Sequence, residues 1–489
     1  MLSPASPRIR TATIALLCAL VSSPPAFAAD AALERAAAAI GASSLKTLRY
    51  AGEGTGYTFG QAYRPGTAWP KIRIRSFVRS INYETASMRD EIEFIRGEAL
   101  GGGGYPHAAP QRNVELVSGA HAWNQIVTAP LPGSRFVVAR VHQLWVTPHG
   151  VIMAAIRNNA TVRPVTRDGK TYAVATFTEP GRFKAAAYLD DQGRVERVES
   201  VIPDPVMGDT PVVTTYADYR SFGGVRFPTR ISQSQGGHPV LDLAVRDVEA
   251  GAPVEIAVPD LVKNATERVT ADKIADGVWF VSGGSHNSVA IEMRDHMIVV
   301  ETPLNDARSL PVLARVKELV PGKPIRTVIN SHAHFDHAGG LRAAASEGAT
   351  IVTQAQNKAW LERAFAVANT ISPDALAKSG RKARFEAVDA KRVIFDGSRT
   401  VEIHRVADSH HSDSFLMVYL PKERLLIEAD SFTPGAPNTP PPSTPNPNHT
   451  NLVDNLESLG LKVDRILPLH GRVVPVAELY TAVARTPPP

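Results

Sequence analysis

The chain has one cysteine, Cys18, in 489 residues. That excludes an internal disulfide framework and any cysteine-rich zinc finger. Charge of one sign is also scarce. Fifty-three basic residues face 48 acidic ones, a net of +5, and no basic block points to nucleic acid. Long apolar runs are missing as well. The run at 11–21 has 11 residues, whereas a membrane-spanning helix needs about 20. No internal repeat is found. What remains is a globular composition, 44% hydrophobic and 21% charged. The length predicts two to four domains of roughly 100–200 residues each.

The first residues read as an export signal. Arg8 and Arg10 form a short basic start, the apolar run follows, and Ala26-Phe27-Ala28 is a cleavage site of the A-x-A kind. Cleavage after Ala28 would remove Arg8, Arg10 and Cys18. It would leave 51 basic against 48 acidic residues and no cysteine. A periplasmic or secreted protein without a membrane anchor is expected. Oligomeric state cannot be read.

Three segments follow: 1–28 as signal peptide, 29–262 as a β-rich domain, and 263–489 as an α/β domain. Residues 30–49 read as one Ala-rich helix. Period-two runs at 71–75, 135–139, 172–177 and 194–198 predict strands of a large antiparallel sheet. Gly-rich stretches at 52–56 and 101–104 lack the strand–helix setting of a nucleotide loop and read as flexible turns. From about 271 strands alternate with helices, including a helix at 306–320 and a strand at 325–330. The Pro-rich stretch 433–449 reads as an extended surface loop, with Asn448 and His449 in it.

The densest chemical signal is Ser331-His332-Ala333-His334-Phe335-Asp336-His337-Ala338-Gly339-Gly340. It lies between an apolar strand and a helix. Imidazole and carboxylate are ligand types that zinc accepts. Histidines two apart on extended chain point the same way, and Asp336 and His337 can face a second metal from the turn. Three more ligand types stand at strand ends: the His410-His411 pair, Asp430 and His470.

These motifs resemble the metallo-β-lactamase-fold hydrolases, over roughly residue 271 onward. The resemblance implies an αββα sandwich with metals at one edge of its two sheets. It implies His332, His334 and His411 around a first metal, with His411 preferred to His410. It implies Asp336, His337 and His470 around a second, with Asp430 bridging. The strand at 297–302 ends in Glu301 where the family usually has Asp. The extra methylene would be absorbed by a backbone shift or would loosen the site. The N-terminal half, an α-helix followed by many strands, is similar to the curved-sheet fold of periplasmic lipoprotein carriers.

Two divalent metals, zinc first with iron or manganese as alternatives, would bring a shared water to a pKa of about 7. The resulting hydroxide would attack an ester, thioester, lactone or amide of a small-molecule substrate. Asp336 would orient it and carry a proton. Asn287 is a candidate substrate contact, with turn capping as the competing role, and His286 carries the same ambiguity. The alternative function is a periplasmic carrier for an apolar ligand with an inactive or structural metal site.

Overall fold

A computed structural model describes residues 26–103, 110–437, 440 and 442–487. The expected leader up to residue 25 and His107 lie outside them.

The first helix, Ala26–Ile40, buries Leu33, Ala36, Ala37 and Ile40. Those spacings of three and four residues form one apolar stripe. It ends well before the expected 49. Gly41 takes a left-handed φ of +78°, and a Cβ there would stand 2.6 Å from the carbonyl oxygen of Gly224. The chain then leaves as the strand Thr47–Tyr57. Gly52 and Gly54, expected in a turn, lie inside this strand. A Cβ at either would meet a neighbouring carbonyl, of Ala244 or Asp242, at 2.4 or 2.1 Å.

Thirteen strands among the described residues form one antiparallel sheet. Thr47–Tyr57 lies in its interior between Lys71–Asn82 and the middle strand, His238–Ala250. The helices Ala26–Ile40, Val137–Trp145 and Pro148–Arg157 share its core. The segment 135–139, expected as a strand, is a 3-10 turn running into the second of these helices. Val141, Leu144 and Trp145 continue the apolar pattern at helical spacing, which outweighs a short alternation.

The second half holds a seven-stranded and a six-stranded sheet. Alternate residues of each central strand serve different cores. Val289, Ile291, Ile298 and Val300 join the layer that also holds Val401, Ile403 and Val418 of the other sheet. Ala290, Met297 and Val299 face outward onto Val312, Leu313 and Val316 of the helix Asp306–Leu319. The helices Pro447–Ser458 and Val476–Ala482 contribute Leu452, Leu456 and Leu479 to the core of the six-stranded sheet. The Pro-rich stretch therefore ends earlier than expected. Asn446 accepts from the Asn448 amide at 2.9 Å and starts a helix, so Asn448 and His449 belong to its first turn.

Contacts between the halves include one at Asp209 and one at Phe335. Asp209 accepts from the Thr370 amide at 3.0 Å, and its own amide donates to the Ala368 carbonyl at 2.8 Å. At the other place Phe59 and Trp69 pack edge-on to Phe335 at 5.3 and 5.5 Å between ring centres. Phe335 lies between His334 and Asp336, so this contact reaches the ligand loop itself.

Candidate metal centre

Strand ends deliver the polar residues. The strand Ile325–Ile329 runs into the loop carrying His332 and His334. Leu425–Glu428 leads to Asp430, Arg465–Pro468 to His470, and Thr400–Arg405 to the loop of His411. The donor atoms of His332, His334, His411 and Asp430 lie within 4.8 Å of one another. So do those of His286, Asp336, His337 and His470. Asp430 stands between the groups. One of its oxygens is 2.9 Å from His411 Nε2, the other 2.9 and 3.0 Å from the Nε2 atoms of His337 and His470.

For His332, His334 and His337, hydrogen bonds on the outer side of the ring decide which nitrogen faces in. Ser331 donates its hydroxyl proton to Glu301, so it accepts from His332 Nδ1–H at 2.9 Å. His332 Nε2 is left with a lone pair. His334 Nε2–H donates to the Ala62 carbonyl at 3.0 Å, leaving Nδ1 free, 2.9 Å from His332 Nε2. His337 Nδ1–H donates to Glu301 at 3.1 Å, and its Nε2 faces His470 Nε2 at 3.0 Å. His332 Nε2 and His334 Nδ1 therefore meet as lone pairs, and the inner nitrogens of His337 and His470 turn to Asp430. Asp430 Oδ1, buried amid them, has no hydrogen bond of acceptable geometry. A divalent cation meets this donor set, and nitrogen with carboxylate oxygen is the set that zinc accepts.

Burial and neighbouring charges shift the groups in opposite directions. Burial, reinforced by neighbouring imidazoles, keeps His332 well below its usual range and brings His334 to about 3. Burial likewise brings His286 to about 4. Burial would raise both Asp336 and Asp430, but His337 and the histidines around it hold both carboxylates well below their usual range. For His337 and His470 burial acts downward, yet Asp430 beside them holds both above their ordinary value.

Glu301 carries the extra methylene in a left-handed backbone, φ +69°. Its fully buried carboxylate accepts from Asn330 Nδ2 at 3.0 Å as well as from Ser331 and His337. From this backbone the carboxylate reaches the ligand loop. Asn287, the candidate substrate contact, is only 3% exposed. Its amide donates to the Gly471 and Pro468 carbonyls at 2.9 and 3.3 Å, which fastens the His470 loop. His410 stays outside both groups; its carbonyl accepts from the Gly101 amide at 2.9 Å.

The first half supplies contacts that local sequence does not announce. Gln61 Nε2 donates to Asp336 Oδ1 at 2.8 Å across 275 positions of chain. The Phe335 amide donates to the Gly60 carbonyl, and the Gly102 amide to the Gln61 carbonyl. Buried Arg96 grips the glycine segment through the carbonyls of Leu100, Gly101 and Gly102. A Cβ at Gly102 would stand 2.0 Å from Gln61 Oε1 and 2.5 Å from His334 Cε1. The glycine run was its visible signal, and close packing rather than flexibility explains it.

Residues 281–470 match the family model of the metallo-beta-lactamase superfamily. The second half of this chain has the metallo-β-lactamase fold. Solved structures similar to it include a metallo-β-lactamase from Pontibacter korlensis, 14% identical, with a TM-score of 0.34, covering 44% of this chain and 98% of that one. Another, from Hirschia baltica, is 21% identical with a TM-score of 0.33, covering 44% and 95%. The mono-zinc FIM-1 enzyme of Pseudomonas aeruginosa is 19% identical with a TM-score of 0.33, covering 45% and 95%. A search of the curated proteins found no match. The match over residues 281–470 and the two His/Asp groups support divalent metal binding and a metal-dependent hydrolase at the level of the superfamily.

Proposed function

We propose that this chain is an exported hydrolase that holds two divalent metals and cleaves an ester, thioester, lactone or amide in a small molecule. The observation that carries the reading is the inward convergence of imidazole nitrogens and carboxylate oxygens on both sides of Asp430, with the outer ring nitrogens of His334 and His337 bonded away. His332, His334 and His411 would hold one metal, and Asp336, His337 and His470 the other, with Asp430 shared. Bound there, the ions supply Lewis acidity and acidify water.

The protein's own part is orientation and proton handling. Glu301 and Ser331 fix the His332 and His337 rings. The Ala62 carbonyl fixes His334. Asp336 is held on Oδ1 by Gln61, and it is the group placed to take a proton from the attacking water and pass it to the leaving group. The first half thus serves this centre as a wall.

The test is metal content per chain by elemental analysis, followed by a screen of esters, thioesters, lactones and β-lactams. Close to two metals with turnover supports the reading. No metal after incubation with zinc, together with binding of fatty acids, would overturn it in favour of a carrier.

A further inference from the structure

We propose that His286 is a further ligand of the second metal, which then has three imidazoles, as the first has, together with Asp336 and the shared Asp430. The inference rests on the two-metal reading above. His286 lies in the loop 283–287 between the strands Val278–Ser282 and Ser288–Glu292. It comes from a different part of the chain than the other ligands. Its ring centre is 4.3 Å from that of His470 and 5.4 Å from that of His337. Its donor atom falls within 4.8 Å of those of Asp336, His337 and His470. Nitrogens about 2.1 Å from one ion lie about 3.0–3.4 Å apart at the angles of four- and five-coordinate sites, so this spread suits a shared ion after small ring rotations.

The backbone is built to keep the ring there. Buried Arg308 donates to the His286 carbonyl at 3.2 Å and to the Arg268 carbonyl at 2.6 Å. The next residue, Asn287, ties the loop to the His470 loop through its side chain, and its amide donates to the Leu469 carbonyl at 2.8 Å. The loops of His286 and His470 are therefore tied together. A ligand pair held this way is preorganised by its supporting shell.

The outer nitrogen has a partner of the right kind. His286 Nδ1 is 2.8 Å from the Ser285 hydroxyl, and Nε2 is 3.1 Å from Asp336 Oδ2. Two tautomers satisfy these distances. In one, Nε2–H donates to Asp336 and the ring is a hydrogen-bond partner only. In the other, Nδ1–H donates to Ser285 and Nε2 offers a lone pair to the same space that His337 and His470 face. The second repeats the pattern of His332, whose Nδ1 also leans on the preceding serine. Asp336 keeps its Gln61 bond in either case.

The test uses the full chain, stripped of metal and titrated with Co(II). Occupancy is read from the visible d–d bands, and imidazoles per metal from X-ray absorption. The parent should take two equivalents. His286→Ala should fill the first site as the parent does and bind the second equivalent ten- to a hundredfold more weakly, with one imidazole fewer there. His337→Ala is the reference for a lost second-site ligand. His286→Asn serves as the variant if the alanine change disturbs folding, and an unchanged first equivalent reports an intact fold. A parent that binds two metals beside a variant with the same second affinity and the same spectrum would overturn the ligand role and leave His286 as the partner of Asp336. A parent that binds fewer than two metals would overturn the two-metal reading and this proposal together.

Discussion

Both halves bury histidine, and they do so in different ways. In the first half His142 and His149 are almost fully enclosed, yet each has one polar partner: the Ser200 hydroxyl at 2.7 Å and the Ile40 carbonyl at 2.9 Å. Their rings pack on Phe183 and Phe227. In the second half His332, His334 and His337 are equally buried, but the inner nitrogens of His332 and His334 face each other and that of His337 faces His470. Burial depresses His142 and His149 as it depresses His334. Depth and a shifted pKa therefore do not mark a metal site. The mark is a set of imidazole nitrogens and carboxylate oxygens that point at one volume while the outer nitrogens are already bonded.

The largest effect tests that distinction directly. His332→Ala should abolish the first metal and with it hydrolysis, while circular dichroism still reports the strands of the first half. Unchanged metal content would sink the ligand assignment. His142→Ala, equally buried, should leave metal content at the parent value and cost only stability.

A smaller effect asks whether the halves are separable. Gly102→Ala drives a methyl into Gln61 and His334, and should weaken metal binding ten- to a hundredfold, as loss of outer support typically does. Gly97→Ala, with open space around it, is the control. Equal metal affinity in both would mean the glycine segment does not bear on His334. Smaller again is Gln61→Ala. It removes one bond to a charged group, worth about 1.5–3 kcal/mol, and should lower kcat roughly tenfold or more and move its pH profile, with both metals retained. An unmoved profile would leave Gln61 as packing.

The smallest effect belongs to the isolated histidines. Folded His142 titrates at about 3 and His149 at about 4, against an ordinary 6.5. Between those values the unfolded chain binds protons that the folded chain refuses, so stability falls as pH drops below 6.5. Each contributes up to about 1.4 kcal/mol per pH unit. The penalty is absent above 6.5 and stops growing below the folded values. Urea midpoints between pH 7 and 5 should show a shallower slope in His142→Gln than in the parent. Identical slopes would exclude His142 as a contributor.

How much of this was legible depends on distance along the chain. The motif from His332 to His337 and the later His411, Asp430 and His470 could be read because each follows an apolar strand, and strand ends project into a shared edge. The central strands of the second half were visible for the same reason. Local patterns misled where a long-range contact or a longer period ruled. The alternation at 135–139 was too short to outweigh the helical spacing beyond it, and Gly41 cut the first helix short against Gly224. Gln61 and Arg96 gave no local signal, since their partners are set by how the halves dock. Asn287 was read by type, as a polar turn residue, while its partners were carbonyls some 180 positions away.

The contact that fixes His334 is made by the main chain at position 62, not by a side chain. Every amino acid brings the same carbonyl. The residue at 62 can therefore drift, within the small space that buried Ala62 allows, without breaking the link between the halves. A comparison of related sequences would see no preserved letter there and could judge the first half dispensable. Joining the second half to a foreign partner would test that judgement: without a carbonyl in this place, water or another tautomer would claim His334 Nε2, and the ring would lose its fixed direction.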